Sequence, residues 1–364
     1  MAVTLAVLLV YLVRALVIPD ASRTRGASFL SPLFNWDGGW YFRITASGYH
    51  QLPGTPEQPY PFFPLLPAAT AAAHTLLPFL ELHVAGMVVA LGSVCAAMLV
   101  VDAAIDAWPE WQRLAMVALL LVVPGGFQYA TFMSETLFVL AVALVVYGLL
   151  REKQEWVAGA GVALATLGRP NGVVLFVPLV LVLAQRQQMR SRAALMAVGI
   201  ALSGLAAVFA LYLVVSGDPL RYMSAHQEGW NYARGLSYAA MIVGRRADSV
   251  AALVSQALAR PGSYVAITAS IWEGLLVVPL VALSWRWNRA MGLVAGSFWI
   301  FILAVGGFES HMRYLLVCLP LWIAPLALYR QRWQAWAVAG VLGAAGLAFN
   351  WYLVGEFAAG RWAS

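Results

Sequence analysis

The sequence predicts an all-α polytopic membrane protein, and this fold class follows from its composition and from the arrangement of its apolar residues. Of 364 residues, 62% are hydrophobic and 10% are charged, and the mean hydropathy is +0.79. A soluble globular domain carries about a quarter charged residues. The apolar residues form long unbroken runs, whereas a membrane β-barrel requires alternating polar and apolar residues. We therefore expect membrane-spanning helices.

Basic residues indicate which short loops lie in the cytoplasm. The net charge is +6, from 22 basic and 16 acidic residues. Four short segments between the apolar runs contain these residues. They hold, in order, Arg151 and Lys153, then Arg186, Arg190 and Arg192, then Arg286 and Arg289, and finally Arg330 and Arg332. Because this distribution is typical of cytoplasmic loops, we assign these charges to topology and expect no nucleic-acid partner.

Counting crossings from these loops predicts roughly eleven helices in a single transmembrane domain over residues 1–364. The first run lacks the basic leading region and cleavage site of a signal peptide, so we expect it to be retained. The expected spans are Ala2–Ile18, Val84–Ala107, Leu114–Tyr129, Ser134–Leu150, Trp156–Leu167, Gly172–Leu183, Ala194–Val215, Tyr264–Leu283, Met291–Val305, Arg313–Leu328 and Ala335–Val354.

Two longer segments, residues 19–83 and 216–261, fall outside the cell by the same count, as does the C-terminus. The first includes an apolar stretch, Phe62–Leu80, that is interrupted by several prolines. Proline removes a backbone donor and bends the chain. We therefore expect a re-entrant or surface-lying segment instead of a span.

Ionisable residues from distant parts of the chain converge at the external edge of the membrane in this topology. They are Asp37, Glu135, Arg169, His311 and Arg313. A charge at the bilayer centre costs about 2.5–3.5 kcal/mol on insertion scales, so such residues need partners or a function. The convergence predicts a functional site on the external face.

Asp37 is the candidate catalytic base because of its neighbours. It lies between Trp36 and the sequence Gly38, Gly39, Trp40. Aromatic rings lower the local dielectric and offer faces to sugar rings, and glycines permit close approach of a substrate. The alternative is an interfacial aromatic belt in which Asp37 caps a short helix.

Glu135 and Arg169 each have a structural interpretation beside the functional one. Glu135 begins an apolar run, where capping of a helix alone would explain an acid. Arg169 and Asn171 flank Pro170 in a broken helix, where a guanidinium can grip phosphate through two parallel hydrogen bonds. A structural ion pair between Arg169 and Glu135 is the competing explanation.

His311 and Arg313 bracket Met312 just before a helix, and ordinary loop chemistry at the membrane edge is the alternative to a polar site there. The remaining histidines lack the spacing of metal ligands. Cys95 and Cys318 lie in predicted spans as apolar fillers. We expect no metal, no cofactor and no disulfide.

Five motifs, in order along the chain, resemble the glycosylphosphatidylinositol mannosyltransferase II family and its bacterial PIG-V-like relatives. The first is W-D-G-G-W-Y-F-R-I-T-A-S-G-Y at Trp36–Tyr49, and the next is Y-P-F-F-P-L-L-P at Tyr60–Pro67. They are followed by S-E-T-L-F at Ser134–Phe138, R-P-N-G at Arg169–Gly172 and R-Y-L-L at Arg313–Leu316. The resemblance covers about Trp36 to Pro320.

This resemblance implies a GT-C type helix bundle and an inverting glycosyltransferase in the bacterial plasma membrane. Such enzymes take a sugar, here mannose, from a polyprenyl-phosphate donor on the external or luminal face and transfer it to a lipid or glycan acceptor. The first-loop Asp acts as base, which carries over to Asp37. Arg169, Arg313 and His311 would bind the donor phosphate, and other residues of the matched regions would contact substrate: Trp36, Trp40, Tyr41, Tyr49, Tyr60, Glu135 and Asn171.

One feature departs from many GT-C enzymes. They carry a paired acidic D-x-D or E-x-D motif in the first loop, whereas Asp37 is followed by Gly38 and Gly39. A second acid is thus missing, and with it the usual argument for a divalent metal.

A lipid or sugar transporter or flippase is the alternative function from another class. A transporter places polar groups near the membrane midplane, reachable from both sides, whereas here they gather at one face. A structural or scaffold protein would leave that convergence unexplained.

The predicted topology can be tested by cysteine accessibility. In a background without Cys95 and Cys318, single cysteines at Thr55 and His226 should react with an impermeant thiol reagent in intact cells. A cysteine at Gln188 should not react, because it lies in a cytoplasmic loop. Equal labelling at Thr55 and Gln188 would show that the arrangement is wrong.

Overall fold

The computed structural model describes residues 1–17, 28–50, 58–229, 277–305, 311–328 and 332–361, and every regular element in these ranges is a helix. The α-helices are α1 Ala2–Leu16, α2 Asp37–Ser47, α3 Leu65–Leu76, α4 Leu82–Ala104, α5 Glu110–Val122, α6 Glu135–Leu150, α7 Glu155–Gly168, α8 Phe176–Gln185, α9 Arg192–Ser216, α10 Arg221–Gly229, α11 Val277–Trp287, α12 Arg289–Val305, α13 His311–Leu316, α14 Leu319–Ala327 and α15 Arg332–Ala358. Short 3-10 helices cover Ser31–Phe34, Gly126–Ala130 and Pro170–Leu175. The predicted all-α fold class is confirmed.

Helix length and hydropathy agree with a membrane protein. Within the described ranges, 3 helices are long and apolar enough to span a bilayer, namely Leu82–Ala104, Arg192–Ser216 and Ala339–Ala358. Shorter apolar helices accompany them, such as α1, α6 and α7. Most of residues 216–261 and the first part of the expected Tyr264–Leu283 span lie outside the described residues. The count of eleven spans therefore stays a prediction.

Helix α7 packs between α6 and α9 through small residues. A side chain added at Gly159 would collide with the backbone of Ala197 on α9, and one at Gly204 would collide with Ala163 on α7. Such close backbone contact is how helices associate in lipid, where hydrophobic burial between helices gains little.

Helices α4, α6 and α8 end on the same side of the bundle, as the crossing count predicted. Arg151, just after α6, donates to the Ala103 carbonyl near the end of α4 at 2.5 Å. Arg186, after α8, donates to Leu149 O of α6 at 2.6 Å. These two arginines satisfy carbonyls at helix C-termini, where cations are favoured. At the opposite end, His83 of α4 stacks on Phe42 of α2, with ring centroids 4.0 Å apart.

Three expected spans differ from the structure. The span expected at Gly172–Leu183 begins as the 3-10 helix Pro170–Leu175 and continues as α8. The helix expected to reach Tyr129 ends at Val122, because Pro124 follows and Gly125 has a φ of 83°. Asn350 of α15 compensates, donating to the carbonyls of Val122 and Val123 at 3.0 Å each. A buried backbone acceptor without a partner would be costly.

The span expected at Arg313–Leu328 is two helices, α13 and α14, separated at Val317 and Cys318. Pro320 in the first turn of α14 has no N–H to continue a preceding helix. The break predicted near Arg169 is confirmed, since α7 ends at Gly168 and Arg169 has extended φ and ψ of −158° and 151°.

The segment predicted to be the first external one folds into short helices, as its prolines predicted. Helix α3 has 12 residues, or about 18 Å at 1.5 Å per residue, which is too short to cross a bilayer. Helix α2 packs against α3 and against the 3-10 helix Ser31–Phe34. This arrangement leaves the start of α2 beside the start of α6 and the end of α15.

Candidate active site

The loop that carries Asp37 is held by the C-terminal helix. Asn35 donates from Nδ2 to the Phe357 carbonyl at 2.8 Å, and Trp36 donates from Nε1 to Arg361 O at 3.1 Å. Trp36 has a φ of 57°, a left-handed conformation that is unfavourable for a bulky residue. Such strain persists where surrounding contacts impose it, so α15 sets the geometry at Asp37.

Gly38 allows this loop to approach the chain before α6. A Cβ at Gly38 would lie 2.8 Å from the Phe132 carbonyl oxygen, and Phe132 N donates to Leu33 O at 2.9 Å. The sequence interpretation assigned the glycine to close approach of a substrate. The structure shows that Gly38 accommodates the protein's own backbone.

Four ionisable residues form one connected ion network. Glu135 Oε1 accepts from Arg313 Nε at 2.6 Å and from Arg169 Nη1. Arg313 Nη2 lies 2.7 Å from Asp37 Oδ2. The network joins the start of α2, the start of α6, the break after α7 and helix α13. The structure thus brings together four of the five residues that the topology placed at one face.

Neither carboxylate acts simply as a helix cap. Trp36 occupies the N-cap position of α2 and Ser134 that of α6, and neither makes a side-chain capping bond. Asp37 and Glu135 are each the first helical residue, and their carboxylates engage arginines. The alternative that Arg169 forms an ion pair with Glu135 is confirmed, while phosphate binding by Arg169 stays a prediction.

Exposure decreases from Asp37 into the network. The exposed fraction of the side chain is 29% for Asp37, 9% for Arg169, 5% for Arg313 and 0% for Glu135. Arg313 Nη2 is itself buried and has no aligned hydrogen-bond partner among the described residues, although Asp37 is within ion-pair distance. A ligand arriving from solvent therefore meets Asp37 first.

Asn171 is a buried amide next to this network. Its residue is 1% exposed, and neither Oδ1 nor Nδ2 has a hydrogen-bond partner in the part of the chain that the structure describes. Leaving a buried polar group unpaired costs about 1–3 kcal/mol. Asn171 therefore has unused hydrogen-bonding capacity, and its contact with substrate stays a prediction.

The aromatic residues of the first motif are placed differently from one another. Trp36 is exposed, and Trp40 stacks on Phe62 with centroids 5.3 Å apart. Tyr41 is buried, and burial raises the pKa of its phenol well above the usual value, so it stays a proton donor at neutral pH. The Arg43 guanidinium also lies over the Trp40 ring, 4.7 Å from its centroid, and contact of either tryptophan with substrate stays a prediction.

Tyr49 and Tyr60 belong to a separate buried cluster with Phe63, Tyr212 and Ala225. Tyr49 Oη donates to Phe62 O at 2.7 Å, and Tyr212 Oη donates to Tyr60 O at 2.7 Å. The cluster attaches the first external segment to α9 and α10. These contacts give both tyrosines a packing role, and their contact with substrate stays a prediction.

His311 begins α13, two residues before Arg313, but its side chain lies outside the described residues, as does Glu309. The described residues contain no group of three or more His, Cys, Asp or Glu side chains placed to hold a metal ion.

Sequence reasoning missed two residues at the site. Tyr314 presents its ring to the Arg169 guanidinium, 5.4 Å from the ring centroid, and Asn35 attaches the Asp37 loop to α15. Tyr314 follows Arg313 in the R-Y-L-L motif, and this adjacency was the available signal. The contact of Asn35 joins residues 322 positions apart, so no local pattern indicates it.

Solved structures share this fold. ArnT from Cupriavidus metallidurans, crystallised with undecaprenyl phosphate, matches with a TM-score of 0.56 and 14% identity, over 96% of this chain and 69% of that chain. The Archaeoglobus fulgidus oligosaccharyltransferase with a tethered acceptor peptide matches with a TM-score of 0.50 and 14% identity, over 99% of this chain. The same oligosaccharyltransferase in complex with zinc and sulfate matches with a TM-score of 0.50 and 15% identity, over 100% of this chain.

These matches confirm the GT-C type helical fold. The chain corresponds to 55% and 53% of the two oligosaccharyltransferase chains, about half their length. No protein-family model and no curated protein matches the sequence.

Glu135→Gln should destabilise the protein strongly. The change leaves Arg169 and Arg313 buried without their shared counter-charge, and breaking a buried ion pair in this way costs about 3–5 kcal/mol. The free energy of unfolding in detergent measures the loss. Glu155→Gln is the matched control, because Glu155 is also buried but contacts only the more exposed Arg186, at 3.5 Å. Equal stability of the two variants would show that the network is not needed for folding.

Proposed function

We propose that this protein is a membrane-embedded, inverting glycosyltransferase that moves a sugar from a polyprenyl-phosphate donor to an acceptor hydroxyl on the external face of the membrane. One observation carries the proposal. Asp37, the most exposed member of a buried ion network, lies 2.7 Å from a guanidinium nitrogen of Arg313. A potential base thus adjoins a potential phosphate site.

In the proposed reaction, Asp37 takes the proton of the acceptor hydroxyl as that oxygen attacks the anomeric carbon of the donor. The new bond joins this carbon to the acceptor oxygen, and the bond from the carbon to the phosphate oxygen breaks. A single displacement inverts the anomeric centre. The leaving lipid monophosphate gains negative charge, which Arg169 and Arg313 stabilise electrostatically. His311 is a secondary donor to the same phosphate.

Glu135 positions both arginines in this mechanism. Its Oε1 accepts from Arg313 Nε and from Arg169 Nη1, so the two cations are held side by side despite their mutual repulsion. The unpaired amide of Asn171 and the rings of Trp36 and Trp40 supply polar and stacking contacts for a sugar.

Two observations support the proposed donor, one for its lipid phosphate and one for its sugar. ArnT, whose fold this chain shares, was crystallised with undecaprenyl phosphate, which supports a polyprenyl phosphate. The resemblance of five sequence motifs to PIG-V-like enzymes supports mannose and a bacterial plasma membrane. The acceptor is a lipid or glycan hydroxyl.

The position of the polar network does not favour a transporter. Its members lie at helix ends, at the first residue of α6 and just after the last residue of α7. A transport site near the midplane would instead interrupt helices in the middle of the membrane.

The activity can be tested directly by incubating purified protein with labelled polyprenyl-phosphate mannose and a membrane lipid extract. We expect a labelled lipid or glycan whose anomeric configuration is opposite to that of the donor. Retention of configuration would exclude single displacement, and the absence of product with any polyprenyl-phosphate sugar would overturn the proposed activity.

Asp37→Asn should abolish most turnover. The amide is nearly isosteric with the carboxylate but cannot take a proton, and general-base catalysis contributes about 10² to 10⁴ in rate. We expect turnover to fall at least about 100-fold in folded protein. Asp102→Asn removes the same charge near the far end of α4, where Asp102 pairs with Arg113, and should leave turnover unchanged. Near-normal activity of folded Asp37→Asn would show that another residue is the base.

Arg169→Lys should weaken donor binding. Lysine keeps the charge but lacks the planar fork that binds phosphate through two hydrogen bonds, so the apparent affinity for the donor should fall about tenfold, as expected for one charge-assisted hydrogen bond. Steady-state kinetics with a titrated donor measures this. Arg186→Lys, at the opposite end of the bundle, is the control. Unchanged affinity in folded Arg169→Lys would assign this arginine to structure alone.

A further inference from the structure

The two carboxylates that share Arg313 hold it very differently. Glu135 is fully buried and accepts an aligned hydrogen bond from Arg313 Nε at 2.6 Å. Asp37 is 29% exposed and faces Nη2 at 2.7 Å, with no aligned hydrogen bond. The contact to Glu135 is therefore closed to solvent, whereas the contact to Asp37 is partly open.

A phosphate cannot reach Arg313 Nη2 unless a carboxylate gives way, because that nitrogen is buried. Displacing Glu135 would leave a buried charge without its cations, which is strongly unfavourable. Displacing Asp37 breaks one contact of a side chain that water already reaches, and the incoming phosphate replaces the negative charge that Arg313 loses. Asp37 is the partner that an incoming anion can replace.

We propose that the donor phosphate replaces the Asp37 carboxylate at Arg313 Nη2, so that the base is released from its ion pair when the donor binds. This inference rests on the proposed function. It assigns one phosphate oxygen to the position of Asp37 Oδ2 and leaves Glu135 holding both arginines. Donor binding then precedes activation of the acceptor.

The exchange also balances charge during transfer. The donor is a phosphodiester with one negative charge, and the leaving lipid monophosphate carries up to two. As the bond between the anomeric carbon and the phosphate oxygen breaks, Asp37 takes the acceptor proton and becomes neutral. Negative charge therefore grows on the phosphate at Arg313 while it is lost from the neighbouring carboxylate.

The inference predicts that the phosphate competes with Asp37. Binding of undecaprenyl monophosphate to purified protein in lipid nanodiscs should be about three- to tenfold tighter for Asp37→Asn than for the wild type, because the variant removes the carboxylate that competes for Arg313 and repels the phosphate. Asp37→Ser, which also lacks the carboxylate, should bind equally tightly. Undecaprenol, which lacks the phosphate, should bind all three proteins alike.

Asp102→Asn is the matched control, since it removes one negative charge about 30 Å along α4 from the start of that helix, which lies beside α2. It should bind undecaprenyl monophosphate as the wild type does. Unchanged or weaker binding by both folded Asp37 variants would overturn the exchange while leaving the proposed activity standing. If the wild type transfers no sugar and binds no undecaprenyl monophosphate, the proposed function itself fails.

Discussion

A single carboxylate without access to water constrains this end of the molecule. Glu135 has no exposed surface, and an isolated buried charge costs several kcal/mol. Both arginines that compensate it come from interrupted helices: Arg169 lies in the break after α7 and Arg313 in the short helix α13. Interrupted backbone is expensive in lipid unless protein surrounds it. The ion network therefore explains why these breaks lie beside the first residue of α6.

The network also connects the two ends of the chain. Asp37 contacts Arg313, and the residues before Asp37 hydrogen-bond to the end of α15. Gly38 brings the same loop against Phe132, just before α6. A residue that transfers protons must keep its position while remaining reachable, and this arrangement separates the two requirements. The buried contacts fix the backbone at Asp37, and its carboxylate stays partly exposed.

Much of the fold and of the candidate site could be predicted from the sequence, because polar residues in an apolar chain are rare and each needs a partner or a function. Parity of crossings placed Asp37, Glu135, Arg169 and Arg313 at one face, and the Gly-Arg-Pro-Asn sequence after α7 indicated the break. The predictions for Tyr129 and for Arg313–Leu328 were wrong because hydropathy does not register where a proline or a glycine ends a helix inside an apolar run. Those boundaries depend on which distant group, such as Asn350, donates to the freed backbone carbonyls.

The sequence by itself determined that this chain is a helical membrane protein. It also determined which polar residues require partners, because both follow from composition and from local hydropathy. Only the tertiary structure decided which partners they have. Glu135 and Arg313 are 178 positions apart, and nothing local selects Arg313 to bridge two carboxylates or Gly38 to meet a carbonyl in place of a substrate. The tertiary structure also decided the exposure of the two acids. Asp37 and Glu135 are both the first residue of a helix, but packing leaves Asp37 partly exposed and buries Glu135.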